Sequence, residues 1–90
     1  MMGLPLKVGR KKVEARFTYK DDPMGRSSET HIVDVKGNIL GYGIAMTHPN
    51  DQFCRRTGRK LSFGRALTAM LKREYRAKVW AQYFGAFPEN

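Results

Sequence analysis

From Lys11 to Tyr19 the chain reads KKVEARFTY, and polar and apolar residues alternate along it. Val13, Ala15, Phe17 and Tyr19 fall on one side; Lys12, Glu14, Arg16 and Thr18 fall on the other. A period of two with β-branched and aromatic residues predicts a half-buried strand. The next ten residues, KDDPMGRSSE (20–29), are polar and carry Pro23 and Gly25. They predict a mobile loop between strands, long enough to be a functional element. THIVDV (30–35) is a second strand. Gly37-Asn38 then suits a tight turn needing positive φ, and ILGYGIAMT (39–47) returns as a third strand paired with the second. Leu40, Tyr42, Ile44 and Met46 share one of its faces. Gly41, Gly43 and Ala45 share the other, and small residues there let another element come close.

Pro49 ends the third strand. Asn50 or Asp51 caps a short helix through Phe53 to Thr57, with Gly58 as its stop. Ser62 then caps a long helix running to about Tyr83. Its apolar stripe begins with Phe63, Ala66, Leu67, Met70 and Leu71. Glu74 and Lys78 interrupt it, and the apolar side drifts to Tyr75, Val79, Gln82 and Tyr83, with Trp80 toward the other side. The second half of the helix is therefore expected to leave the sheet and project, ending at Gly85 and Pro88. The expected fold is α+β: a three-stranded antiparallel sheet followed by a short helix and a long C-terminal helix (β-β-β-α-α). Residues 1–10 form an N-terminal arm and 85–90 a tail.

Ninety residues at 41% hydrophobic support one small domain, 1–90, and no second core. No run approaches the roughly 18 apolar residues of a membrane span. MMGLPLKVGRKK is too short in apolar residues for a secretory signal, and Gly3 lacks the following Ser or Thr of a myristoylation motif. A single cysteine, Cys54, excludes an internal disulfide and a Cys-rich zinc site. The expectation is a soluble intracellular protein with no cofactor.

Charge changes the picture most. The net charge is +9. Residues 1–54 hold eight Lys/Arg against six Asp/Glu, whereas residues 55–90 hold nine against two. On one continuous helix, Arg65, Lys72 and Arg76 lie within about 40° of each other at roughly 100° per residue. Arg73 flanks them, and Arg55, Arg56, Arg59 and Lys60 lead into them. One basic strip results, suited to phosphates, which Arg grips bidentately. Tyr75, Trp80 and Tyr83 lie beside it. Aromatics beside Arg are what single-strand stacking needs, and they equally serve as anchors in a protein interface. Three readings stay open: nucleic acid, an acidic surface of a host protein, or a solvated helix face.

Other chemistry is weaker. His31, His48 and Cys54 have no recognised metal spacing, so no metal site is expected. Arg55 and Arg56 beside Cys54 would lower a thiol pKa, and His48 is the sole local base; packing beside Phe53 is the plainer role. Asp21, Asp22 and Glu29 are not spaced for acid–base work. Gly41-Tyr42-Gly43 lacks the Gly-Lys-Ser/Thr of a phosphate loop. No enzymatic activity is expected.

A longer pattern spans Gly43, Ala45, His48, Pro49, Asp51, Phe53, Arg55, Arg56, Gly58, Arg59, Lys60, Gly64, Arg65, Ala66 and Leu67. It resembles a segment of small bacteriophage and prophage proteins and covers about a quarter of the chain. The resemblance implies a viral or mobile-element origin and the cytoplasm of a bacterial host, but no mechanism. Within the segment, Asp51 suits a helix start, Phe53 can insert under the sheet, Gly58 permits a turn and Gly64 a close helix–sheet approach. Arg59 and Arg65 are then candidates to pair with Asp34 or Asp51. The expected function is a small basic nucleic-acid-binding protein with little sequence readout. The alternative is a phage-encoded inhibitor or adaptor of a host protein, directed at CRISPR, restriction or transcription. The first or second strand offers an edge for a homodimer.

Overall fold

The computed structural model describes residues 2–47, 54–71 and 73–88. It contains β1 (Met2–Val8), β2 (Lys11–Asp22), β3 (Gly25–Asp34), β4 (Ile39–Thr47), α1 (Arg55–Met70) and α2 (Arg73–Ala86). The class is α+β with both helices after an antiparallel sheet. The sheet has four strands in the order β1-β2-β3-β4, not the expected three.

The additional strand is the segment expected as an N-terminal arm. Leu4, Leu6 and Val8 alternate in it and pair with Ala15, Val13 and Lys11. Gly9-Arg10 is a two-residue connection, and Gly9 takes φ 63, which a hairpin with glycine at its first central position needs. Pro5 is tolerated because β1 is an edge strand, where a missing N–H removes no ladder bond.

The polar segment 20–29 is not a loop. β2 continues to Asp22, turns at Pro23-Met24, and returns as β3 from Gly25, with Asp21 opposite Arg26 and Thr18 opposite Glu29. Pairing across the sheet overrides the low strand propensity of these residues. The pairing of the expected second and third strands is present as β3–β4, with an irregularity at Ile32/Val33. In the connecting turn Gly37 takes φ 87. Asp34 there accepts the Lys36 and Asn38 backbone N–H groups, each at 2.9 Å, and the Asn38 amide at 3.0 Å. These donors favour the charged form and hold the Asp34 carboxyl below its usual range, Asn38 contributing most.

The helical region is also divided differently. α1 passes straight through Gly58 and Ser62, the expected stop and the expected cap. Gly58 is buried and its N–H already bonds Cys54 O at 2.9 Å. Packing on the sheet offsets the cost of about 1 kcal/mol for a helical glycine. Ser62 instead turns inward, and the N-cap position is held by Cys54. The break comes at Leu71, in extended conformation, so the expected long helix is two. Its cause is the slip in the apolar stripe. A straight helix would aim Glu74 and Lys78 at the core; the break re-phases it so that Val79 and Tyr83, each 1% exposed, face inward. α2 therefore lies back on the molecule beside β1 and does not project. Phe87, expected in the tail, packs its ring 5.8 Å from Phe17.

Both helices cover one face of the sheet. The core joins Leu4, Leu6, Val13, Ala15, Phe17 and Ile32 to Phe63, Ala66, Leu67, Val79 and Tyr83. Phe63 stacks on Tyr83 at 4.7 Å, and Phe17 meets both rings. The close approach expected at the small face of β4 is present. A Cβ on Gly41 would lie 2.7 Å from Ala66 O, and one on Gly43 would fall on Ser62 O. At this crossing Ser62 donates to Arg59 O at 3.1 Å. Its hydroxyl lies 2.7 Å from that of Thr30, and both residues are fully buried. With its own proton used, Ser62 accepts from Thr30.

Both edge strands receive a side chain from a helix. Gln82 accepts the Lys7 N–H and donates to the Lys7 carbonyl, both at 2.8 Å, so its amide takes the place of a neighbouring strand on β1. Arg65 donates to the Ile44 carbonyl of β4.

Candidate nucleic-acid interface

The described acids are confined to the sheet and its turns, whereas the described cations lie on both layers. The four acids whose side chains are described, Glu14, Asp21, Glu29 and Asp34, belong to the sheet and its turns. Three ion pairs neutralise part of that charge: Arg16–Glu14 at 2.7 Å, Lys20–Glu29 at 3.3 Å and Arg26–Asp21 at 3.3 Å. Tyr42 also donates to Glu29 at 2.8 Å. That bond is the chief reason the Glu29 carboxyl lies below, and the Tyr42 hydroxyl above, its ordinary pKa. Among the described residues Arg55, Arg56, Arg65 and Arg76 have no carboxylate within ion-pair distance.

The structure sorts the sequence candidates into groups. Arg56, Lys60 and Arg65 line one groove of about 680 Å3 on the outer side of α1, together with Thr57, Leu61, Gly64, Thr68 and Trp80. Helical geometry explains this: positions 56, 60 and 64 recur every four residues, as do 57, 61 and 65. Trp80 closes the groove from α2. Gly64 allows this, since a Cβ there would lie 3.1 Å from the indole. The close approach made by Gly64 is thus to the second helix and not to the sheet. Arg76 marks one end, donating to Thr68 Oγ1 at 3.0 Å, while Thr68 donates to Gly64 O at 2.9 Å. The Lys60 ammonium lies 5.4 Å from the centre of the Phe84 ring.

Arg55 points elsewhere. Its guanidinium lies 5.3 Å from the Tyr19 ring, in a small polar hollow with Lys20, Asp21 and Arg26. Arg59 is scaffold: it lies 3.9 Å over the Phe87 ring and donates to Tyr83 Oη at 3.2 Å. Arg65 is held by Ile44 O. The expected pairing of Arg59 or Arg65 with Asp34 does not occur, because Asp34 is committed to its turn. The alternative partner Asp51, with His48, Pro49 and Phe53, lies outside the described residues. So does Lys72, and for Arg73 only the backbone is described. The break at Leu71 removes the single helix on which Arg65, Lys72 and Arg76 were aligned, although Arg76 still reaches Thr68.

The aromatic candidates divide in the same way. Trp80 is half-buried and lines the groove. Tyr75 is exposed but sits on the β1 side, beside Lys7, Lys78 and Gln82. Tyr83 is a core residue and is not available as an anchor. Phe84 stacks on Trp80 at 5.5 Å and extends the aromatic surface. Sequence reasoning missed Leu61 and Gly64 as groove residues. Their signal was present in the four-residue spacing from Thr57 and Lys60, but the expected stop at Gly58 broke the helix that carries it.

Cys54 is exposed, and the Thr57 hydroxyl is the main influence holding its thiol below the ordinary value. No group of three metal-ligating side chains occurs among the described residues, and none of their helices is long and apolar enough to cross a membrane. No protein-family model, curated protein or solved structure matches the chain.

Proposed function

We propose that this is a small basic nucleic-acid-binding protein of phage type that grips phosphates on the outer surface of α1 and α2. The observation that carries the reading is the groove: Arg56, Lys60 and Arg65 line it, and none of the described acids does. Among the described side chains the two helices carry cations and no acid, and that local excess attracts a polyanion and orients its approach. Little base readout is expected, because no described helix face presents a row of Asn, Gln and Arg to base edges. The resemblance to phage proteins supports action in the host cytoplasm.

Fluorescence anisotropy of labelled DNA and RNA tests this. Three phosphate contacts give an affinity that falls roughly 20- to 40-fold between about 50 and 200 mM salt. An affinity indifferent to salt would sink the reading.

A second reading has its own support. Ile39, Leu40, Tyr42 and Met46 are 62%, 40%, 43% and 74% exposed on the edge strand β4. Such a row suits a protein partner, as an inhibitor or adaptor of a host factor would require. That reading predicts a stoichiometric protein complex and little affinity for free nucleic acid.

A further inference from the structure

The groove has an apolar floor inside its basic rim, and phosphate binding alone gives that floor no role. Leu61 is 49% exposed, and Trp80 is half-buried with its indole edge over Gly64. Phe84 extends the indole surface at 5.5 Å and 22°, and Lys60 lies beside that second ring. Phe63 and Tyr83 support the indole from beneath, edge-on at 5.1 and 5.3 Å. A duplex presents phosphates and sugars outward and keeps the faces of its bases stacked on one another. It would meet the rim and leave the floor uncovered. An unpaired base can cover the floor while its flanking phosphates meet the rim. The volume of about 680 Å3 lies within the roughly 300–1,000 Å3 of sites that enclose a group of nucleotide size.

We infer that the groove is a single-strand site: it takes an unpaired nucleobase against Trp80 and Leu61, with the adjoining phosphates on Arg56, Lys60 and Arg65. This rests on the nucleic-acid reading above and narrows its ligand to single-stranded chains. The guanidinium of Arg65 has donors beyond the one given to Ile44 O, and the Arg56 side chain is exposed. One stacked base is worth enough to favour the single strand over a duplex of the same length by about tenfold or more.

Trp80 is the only tryptophan, so its emission reports on this groove alone. The first experiment titrates the protein with a short oligodeoxythymidylate, with a duplex of the same strand length, and with inorganic polyphosphate, at about 50 mM salt. Quenching by the oligodeoxythymidylate, with binding about tenfold tighter than the duplex and no quenching by polyphosphate, is the expected result. Equal binding of all three with unchanged emission would overturn the single-strand site and leave phosphate binding standing. Binding of none would overturn both. Trp80→Leu should weaken oligodeoxythymidylate binding by anisotropy, but Trp80 also packs on Phe63. Leu61→Ser therefore serves as the second variant, since it alters the floor without charge or core. It is expected to weaken single-strand binding several-fold and leave duplex binding unchanged. Arg16→Ala, on the opposite face of the sheet, should change neither. A Leu61→Ser protein with wild-type preference for the single strand would overturn the proposal.

Discussion

At the residue scale, Thr30 and Ser62 show how few groups decide the crossing of α1 over the sheet. Removing one hydroxyl from a buried pair leaves the other without its partner, at a cost of about 1–3 kcal/mol. Removing both together is far less costly. Ser62→Ala should therefore lower stability in urea denaturation by that amount. Thr30→Val combined with Ser62→Ala should recover most of the loss, and a fully additive double-mutant cycle would contradict the pair. Glu29 and Tyr42 make a pH-dependent pair. The Glu29 carboxyl is depressed in the fold, so its contribution is present above the ordinary carboxylate pKa of 4.5 and lost as pH falls through the lower folded value. The Tyr42 hydroxyl is raised, so its contribution holds below pH 10.0 and is lost as pH rises through the higher folded value. Tyr42→Phe should flatten both limbs of the urea midpoint against pH. Arg56 and Arg59 are near neighbours with separate roles. Arg56→Ala should leave stability within about 0.5 kcal/mol and reduce the salt slope of binding by nearly one. Arg59→Ala should destabilise, because it uncovers Phe87 and takes a donor from Tyr83. Thermal melts and salt titrations of the two proteins separate these effects.

At the element scale, β4 and α1 depend on small residues where their backbones cross. Gly43→Ala must move Ser62 O, a main-chain atom that cannot swing aside. Overpacking of this kind costs about 1–3 kcal/mol, and a lower urea midpoint with an unchanged slope is the expected outcome. The sequence made this crossing legible, since alternation put Gly41, Gly43 and Ala45 on one face. Alternation likewise placed Val13, Ala15 and Phe17 in the core. It also runs through Leu4, Leu6 and Val8, but Pro5 and the position at the chain start hid that strand. The hairpin at Pro23-Met24 was hidden for another reason: Asp, Ser and Lys have low strand propensity, and what holds them is a partner strand that no local window contains. The division of the helices was the hardest part to read. Leu71, Lys72, Arg73 and Glu74 are all good helix formers. Only the slipped stripe at Glu74 and Lys78 signalled a change, and its meaning depends on where β1 lies. The basic groove was half legible for the same reason: its α1 wall follows from spacing, whereas its Trp80 wall follows from the break.

At the scale of the whole molecule, the two layers carry different jobs. The helices bring together the core and the positive groove, while the open face of the sheet carries the Arg16–Glu14 and Lys20–Glu29 pairs and the Tyr42–Glu29 bond. The sheet ends in two edges, each met by one helix side chain. Gln82→Ala should leave affinity for nucleic acid unchanged and raise self-association at high protein concentration, read by sedimentation or light scattering, because it uncovers the main chain of β1.

The Gln82–Lys7 bonds also join residues 75 positions apart in the chain. During synthesis the hairpin of β1 and β2 can close as soon as both strands have left the ribosome, since its contacts are local. Its outer side must wait for Gln82. Of the four strands β1 is thus made first and capped last, and a nascent chain halted before residue 82 lacks the cap that Gln82 places on Lys7.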